Sequence, residues 1–203
     1  YTNCAFVDGY YMFAGDATVV TGCTFTGKQG QYFWTGTPNE ITFTGCRFNG
    51  VDRAVKVCAV GDNRARVATF NDCTFSGTEQ NKAALEIDGS KGSSYVVNIN
   101  NCTATGFATS EATAESLFNI VGADKVVVYV DGAKWLGQGL FQEENGNQVA
   151  YTEAGLKAAL DNGGTVVLAN PFTIDQSETN GYGKTGISMT NGGTLDGNGN
   201  ELG

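Results

Sequence analysis

One motif recurs along the chain and limits the folds open to it. Val67-Ala-Thr-Phe-Asn-Asp-Cys-Thr-Phe75 reads apolar, polar, apolar, a bend, then Cys, polar, apolar. Ile41-Thr-Phe-Thr-Gly-Cys-Arg-Phe48 and Val19-Val-Thr-Gly-Cys-Thr-Phe25 repeat it, and Val97-Asn-Ile-Asn-Asn-Cys-Thr-Ala104 is a further copy. Thr2-Asn-Cys-Ala-Phe6 is a shortened one. Alternation with period two marks a strand with one buried face. The five motif cysteines, Cys4, Cys23, Cys46, Cys73 and Cys102, are 19, 23, 27 and 29 residues apart. A constant motif with a rising period predicts one fixed strand pair and a connection that lengthens.

A second apolar stretch follows each motif, at residues 10–14, 32–35, 55–60, 84–87 and 117–121. Units this small cannot bury a face alone and must stack on their neighbours. The predicted fold is all-β: a parallel β-helix, or solenoid, with one short capping α-helix. Its interior is predicted to carry a ladder of Cys4, Cys23, Cys46, Cys73 and Cys102, beside a second ladder of Phe6, Phe25, Phe48 and Phe75. Thr24, Arg47, Thr74 and Thr103 then face water. On the second strands, counting back from the following glycines points Tyr11, Trp34, Leu85, Ile87 and Ile120 inward. The same count points Met12, Phe33, Glu86 and Asn119 outward, with Cys58 on the outer side as well. Met12 and Phe33 are the candidate surface contacts. A register slip of one residue would expose Tyr32 and Trp34 instead.

Composition narrows the function classes. Of 203 residues 29 are Gly and 2 are Pro, which suits a turn-rich β protein. The net charge of −9 argues against a nucleic-acid partner. No stretch approaches the roughly 20 apolar residues of a membrane span. The acidity is consistent with a secreted or surface protein. The chain opens on Tyr1 and is read as a piece of a longer, processed product. Five of six cysteines occupy one repeat position, so they are read as stacked free thiols; neighbouring-rung disulfides are the other reading. With no histidine and no CxxC, a zinc site lacks its ligands.

Three regions are expected: cysteine-motif rungs over 1–131, a connector over 132–148, and a capping helix with further rungs over 149–203. In the connector, Trp135, Leu136, Leu140 and Phe141 are expected to pack on the last rung. Thr152-Glu-Ala-Gly-Leu-Lys-Ala-Ala-Leu-Asp161 predicts a helix, with Thr152 as its N-cap and Asn162-Gly163-Gly164 as its end. Val149, Leu156 and Leu160 are expected on its apolar face, and Leu156 and Leu160 are the cap residues. Thr165-Val-Val-Leu-Ala169 follows as a buried strand, then the turn Leu195-Asp-Gly-Asn-Gly199.

That succession of helix, Gly-Gly-Thr-Val-Val-Leu and Leu-Asp-Gly-Asn-Gly resembles the opening of pectate-lyase-like right-handed parallel β-helix domains. Residues 1–131 are similar to later rungs of such domains in large surface proteins of gut-type Gram-positive bacteria. An opening that follows later rungs is a permuted order. It implies a chain that folds back on itself, a piece cut from a tandem array, or a unit stacking head to tail on the next copy.

The resemblance implies a non-enzymatic structural or adhesive module at the bacterial cell surface. Its expected partners are other copies, neighbouring domains or surface glycans, and no cofactor is expected. The competing classes are a carbohydrate-active lyase or hydrolase and a glycan-binding module. A lyase of this fold would need a basic residue with carboxylates, and Asp52, Arg53, Lys56, Asp62 and Arg64 are the nearest candidates. An aspartate pair with hydrolase spacing is not found on any strand. Asp196-Gly-Asn-Gly-Asn-Glu201 superficially resembles a Ca²⁺ loop without EF-hand spacing.

Overall fold

Each copy of the motif becomes two short strands joined by a single bent residue. In a computed structural model of the chain, residues 1–8, 17–27, 31–33, 39–50, 55–58, 63–78, 82–107, 117–171, 173 and 191–203 are described. Two compact units are present, Tyr1–Gly132 and Ala133–Gly203. The protein is mostly β, with one α-helix among the described residues.

In the first unit the strands fall into three sheets. The first sheet holds β1 (Ala5–Val7), β3 (Thr24–Gly27), β6 (Arg47–Gly50), β9 (Thr74–Ser76) and β12 (Thr103–Thr105), adjacent in that order. The second holds β4 (Gln31–Phe33), β7 (Val55–Cys58), β10 (Leu85–Asp88) and β13 (Phe118–Val121). The third includes β2 (Ala17–Thr21), β5 (Glu40–Thr44), β8 (Ala65–Asn71), β11 (Ser94–Asn100) and β14 (Val126–Val130). Every strand pairs in parallel with its counterpart one repeat away, so the chain visits the sheets in a fixed order.

Register explains why the motif is constant while its spacing is not. Phe6, Phe25, Phe48 and Phe75 are mutual partners, and Ala104 takes the fifth position. The intervening loops can lengthen because the row is fixed by strand pairing. Between third-sheet and first-sheet strands the chain turns at one residue with positive φ: Asn3 (52°), Gly22 (62°), Gly45 (61°), Asp72 (52°) and Asn101 (50°). Only Gly, Asn and Asp tolerate this left-handed conformation cheaply, which is why the motif varies among those three.

The second unit is built differently. β15 (Ala133–Gly137), β16 (Leu140–Gln142) and β17 (Gln148–Ala150) pair antiparallel in succession. β18 (Thr165–Leu168) and β19 (Thr194–Asp196) then add in parallel. The stretch expected to be a connector therefore contains two strands. The helix α1 (Glu153–Asn162) is capped as its sequence predicts: Thr152 Oγ1 accepts from the Gly155 amide at 3.1 Å. Leu156 and Leu160 pack with Leu140, Ala150, Ala159, Val166 and Leu168 into the core of this unit. Two expectations are corrected here. Val149 lies on β17 and not on the helix, and strand alternation buries its neighbours Gln148 and Ala150. Leu140 lies in the core with the residues of α1.

Candidate functional site

The repeat places three sets of side chains together: an internal ladder, a charged row on the second sheet, and a polar corner along the bends. The ladder is the largest. Phe25, Phe48 and Phe75 are each 1% exposed. Phe6 stacks on Phe25 at 4.9 Å between centroids, Phe25 on Phe48 at 4.9 Å, and Phe48 on Phe75 at 5.0 Å, with planes within 10°. A second stack, Phe43 on Phe70 at 5.2 Å, meets the first edge to face. Both geometries suit the ring quadrupole. The sequence reading singled out one stack; the second was carried by the same alternation, two residues before each bend residue.

The cysteines run beside the rings. Cys23, Cys46 and Cys73 are fully buried, Cys4 and Cys102 half-buried, and all are free thiols. Each thiol donates to the carbonyl two residues before it: Cys46 to Thr44 at 3.5 Å, Cys73 to Asn71 at 3.3 Å and Cys102 to Asn100 at 3.3 Å. Cys73 holds its proton tightly. Hydrogen bonding to the Cys102 and Cys46 thiols, then burial, pushes its pKa far up. Hydrogen bonding with Cys73 lowers the Cys46 and Cys102 thiols. Burial pushes Cys23 up. These thiols act as small buried apolar groups with weak donors.

The second sheet carries the charged row. Lys56 and Glu86 are register neighbours one repeat apart. The Lys56 ammonium lies 2.8 Å from Glu86 and 3.6 Å from Asp88. Asp88 is 4% exposed and accepts from the Ser90 amide at 2.9 Å and the Ser90 hydroxyl at 2.5 Å. Burial works to raise its pKa, but the Ser90 bonds and the two lysines Lys56 and Lys91 outweigh it and hold the carboxyl below its usual value. Lys56 is thus engaged by two carboxylates, the geometry of a structural ion pair. Asp52, Arg53 and Asp62 lie outside the described residues, and Arg64 is exposed.

Burial on this sheet departs from strict alternation at the strand ends. Cys58 is 1% exposed, beside Asp88 in the register. Both share the parity of Lys56 and Glu86 and are nonetheless covered. Burial, with the Asp88 charge, raises the Cys58 pKa. The backbone register aligns Phe33 with Val57 in a row whose members Val57 and Ile87 are buried, and Tyr32 with Lys56. Met12, Tyr11 and Trp34 lie outside the described residues, as does the side chain of Phe33. Leu85 and Ile87 are fully buried as expected.

The bends form the polar corner. Asn101 Nδ2 donates to Asp72 Oδ1 at 2.7 Å, and the Asn101 amide to Asp131 Oδ1 at 2.7 Å. In the second unit, Asp196 Oδ1 accepts from the Asn198 amide at 2.8 Å, and Asn200 Nδ2 donates to the Leu168 carbonyl at 3.0 Å. Among the described residues no group of three or more His, Cys, Asp or Glu is arranged to hold a metal ion. No helix among the described residues is long and apolar enough to cross a membrane. Comparisons with protein-family models, with curated proteins and with solved structures gave no match.

Proposed function

We propose that the chain is a non-enzymatic, extracellular structural or adhesive β-solenoid of a bacterial surface protein, and that it self-stacks head to tail. In this reading residues 1–132 form a right-handed parallel β-helix of the pectate-lyase-like kind. The observation that carries it is the register: the same side-chain types meet in the same rows of parallel sheets, repeat after repeat. Such a lattice is indefinitely extensible, since each rung offers the next the surface it received.

β1 is the outermost described strand of the first sheet. Cys4 O accepts from the Thr24 amide and the Asp8 amide donates to Thr26 O, so the backbone of Ala5 and Val7 faces away from β3. Phe6 and Cys4 are half-buried where their counterparts one repeat on are buried. A strand from another copy would pair with that edge and cover those residues. Contacts of this heterologous kind do not close and produce filaments.

Negative-stain electron microscopy across a concentration series tests the reading. Filaments are expected to lengthen with concentration. Ala5→Pro removes an amide on the free side only and is expected to abolish them while the chain still folds. Compact particles at every concentration, or filaments unaffected by Ala5→Pro, would overturn it. The paired Lys56 and the engaged Asp88 favour this reading over a lyase.

A further inference from the structure

The motif cysteines stand opposite one another. Thr24, Arg47, Thr74 and Thr103 each donate their amide to the carbonyl of the cysteine one repeat earlier, at 2.9, 2.9, 3.0 and 3.1 Å. In a parallel ladder that bond makes each cysteine the register partner of the next. Strands about 4.8 Å apart put such partners inside the Cα separation of a disulfide, about 4.4–6.8 Å. The sulfurs also lean one way along the row. Cys46 Sγ donates to the Val20 carbonyl and Cys102 Sγ to the Phe70 carbonyl, each at 3.5 Å, and Val20 and Phe70 belong to the preceding repeat. The Cys4 amide donates to Cys23 Sγ at 3.3 Å. Cys23, Cys46 and Cys102 thus reach toward the cysteine before them.

We propose that Cys102 and Cys73 are an attacking and a resolving thiol, which a small-molecule disulfide such as glutathione disulfide oxidises to a bridge between two repeats. The row differs in access along its length. Cys46 and Cys73 are fully buried, and Cys102, the last of the five, is half-buried. An oxidant in solution therefore meets Cys102 before Cys73. The Cys73 thiol is hydrogen-bonded to Cys102, which sets the second sulfur beside the first. That bond also lowers the Cys102 thiol and so raises its thiolate fraction, and the thiolate is the nucleophile.

The exchange runs in two steps. The Cys102 thiolate attacks one sulfur of R–S–S–R, forming Cys102–S–S–R and releasing RS⁻. The Cys73 sulfur then attacks the Cys102 sulfur, and the Cys73 proton leaves with the second RS group as RSH. Two protein thiols and one R–S–S–R become one protein disulfide and two RSH, so the oxidant takes up the electron pair. The backbone separation is already in range, and the bridge asks for side-chain torsion rather than strand movement. Once formed, it ties β12 to β9 and makes their separation depend on reduction. The proposal rests on the parallel register of the first unit, and neither on the surface role proposed above nor on end-to-end association.

The test is a time course of the full, folded, reduced chain with glutathione disulfide, quenched by alkylation and mapped by peptide mass spectrometry. A Cys73–Cys102 crosslink is expected to form before any crosslink to Cys46. Cys58 is 1% exposed on the second sheet and serves as the internal control for unfolding; it is expected to stay reduced. Cys102→Ser is expected to slow oxidation of Cys73 by about tenfold or more. Cys73→Ser is expected to hold Cys102 as its mixed disulfide with glutathione, which the unaltered chain passes on. Four results would overturn the proposal: no Cys73–Cys102 crosslink, a crosslink confined to Cys4 and Cys23, Cys58 reacting as fast as Cys102, or undiminished oxidation of Cys73 in Cys102→Ser. The mapping of the unaltered chain decides the matter even where a variant fails to fold.

Discussion

Gly45 and its counterparts do the turning at the scale of single residues. Nothing lies within 4 Å of a Cβ built on Gly45, so its substitution cost is set by φ alone. Gly45→Asn is expected to hold stability within about 0.5 kcal/mol, because Asn101 already occupies an equivalent bend. Gly45→Val, β-branched at positive φ, is expected to cost at least about 1–2 kcal/mol. Urea denaturation of the two variants checks the pair. Asp88 makes the pH argument at the same scale. Its carboxyl is depressed in the folded chain, so the stability it contributes is present above the unfolded value, about 3.9. It is lost as pH falls through the lower folded value. Asp88→Asn is therefore expected to lower the melting temperature at pH 7 and to flatten its decline below pH 4. Thermal melts from pH 7 to pH 2 would show an unchanged slope if Asp88 contributed nothing.

Strands and helix behave as units because their inner faces interlock across repeats. Phe48 touches Phe25 and Phe75 along its own stack and Phe43 and Phe70 across it. Phe48→Ala is expected to destabilise by about 3–5 kcal/mol. A double-mutant cycle of Phe48→Leu with Phe75→Leu is expected to show coupling of about 0.5–1.5 kcal/mol, read from urea midpoints. The same packing explains what could be read from the sequence. The inward Phe and Cys rows follow from alternation around an invariant bend, and α1 from its Thr152 cap and closing glycines. Three features were hidden. The register of β4 depends on how many residues a loop spends, which alternation does not encode. Cys58 is covered although it shares the parity of Lys56. The strands β15 and β16 lack a clean alternation, since in Ala133–Gly137 Trp135 is half-buried and its neighbour Leu136 is 42% exposed.

At the scale of the whole molecule, the two units divide the chemistry of building between them. The first unit repeats three parallel sheets; the second joins an antiparallel run to a parallel pair under one helix core. β19 is exposed along its length, with Leu195 36% exposed, and it pairs in parallel with β18. In the proposed stacking, an exposed parallel strand of this kind would serve as a pairing edge. The charged row of Lys56, Glu86 and Asp88 is internally matched, so it does not compete with that role. The central claim is that rungs stack in register and continue to do so from one molecule to the next. X-ray diffraction from aligned, concentrated protein tests it most directly, because strands perpendicular to the growth axis repeat along it. A reflection near 4.8 Å along the fibre axis is the predicted result. A 4.8 Å reflection perpendicular to the axis, or isotropic scattering without one, would contradict the account.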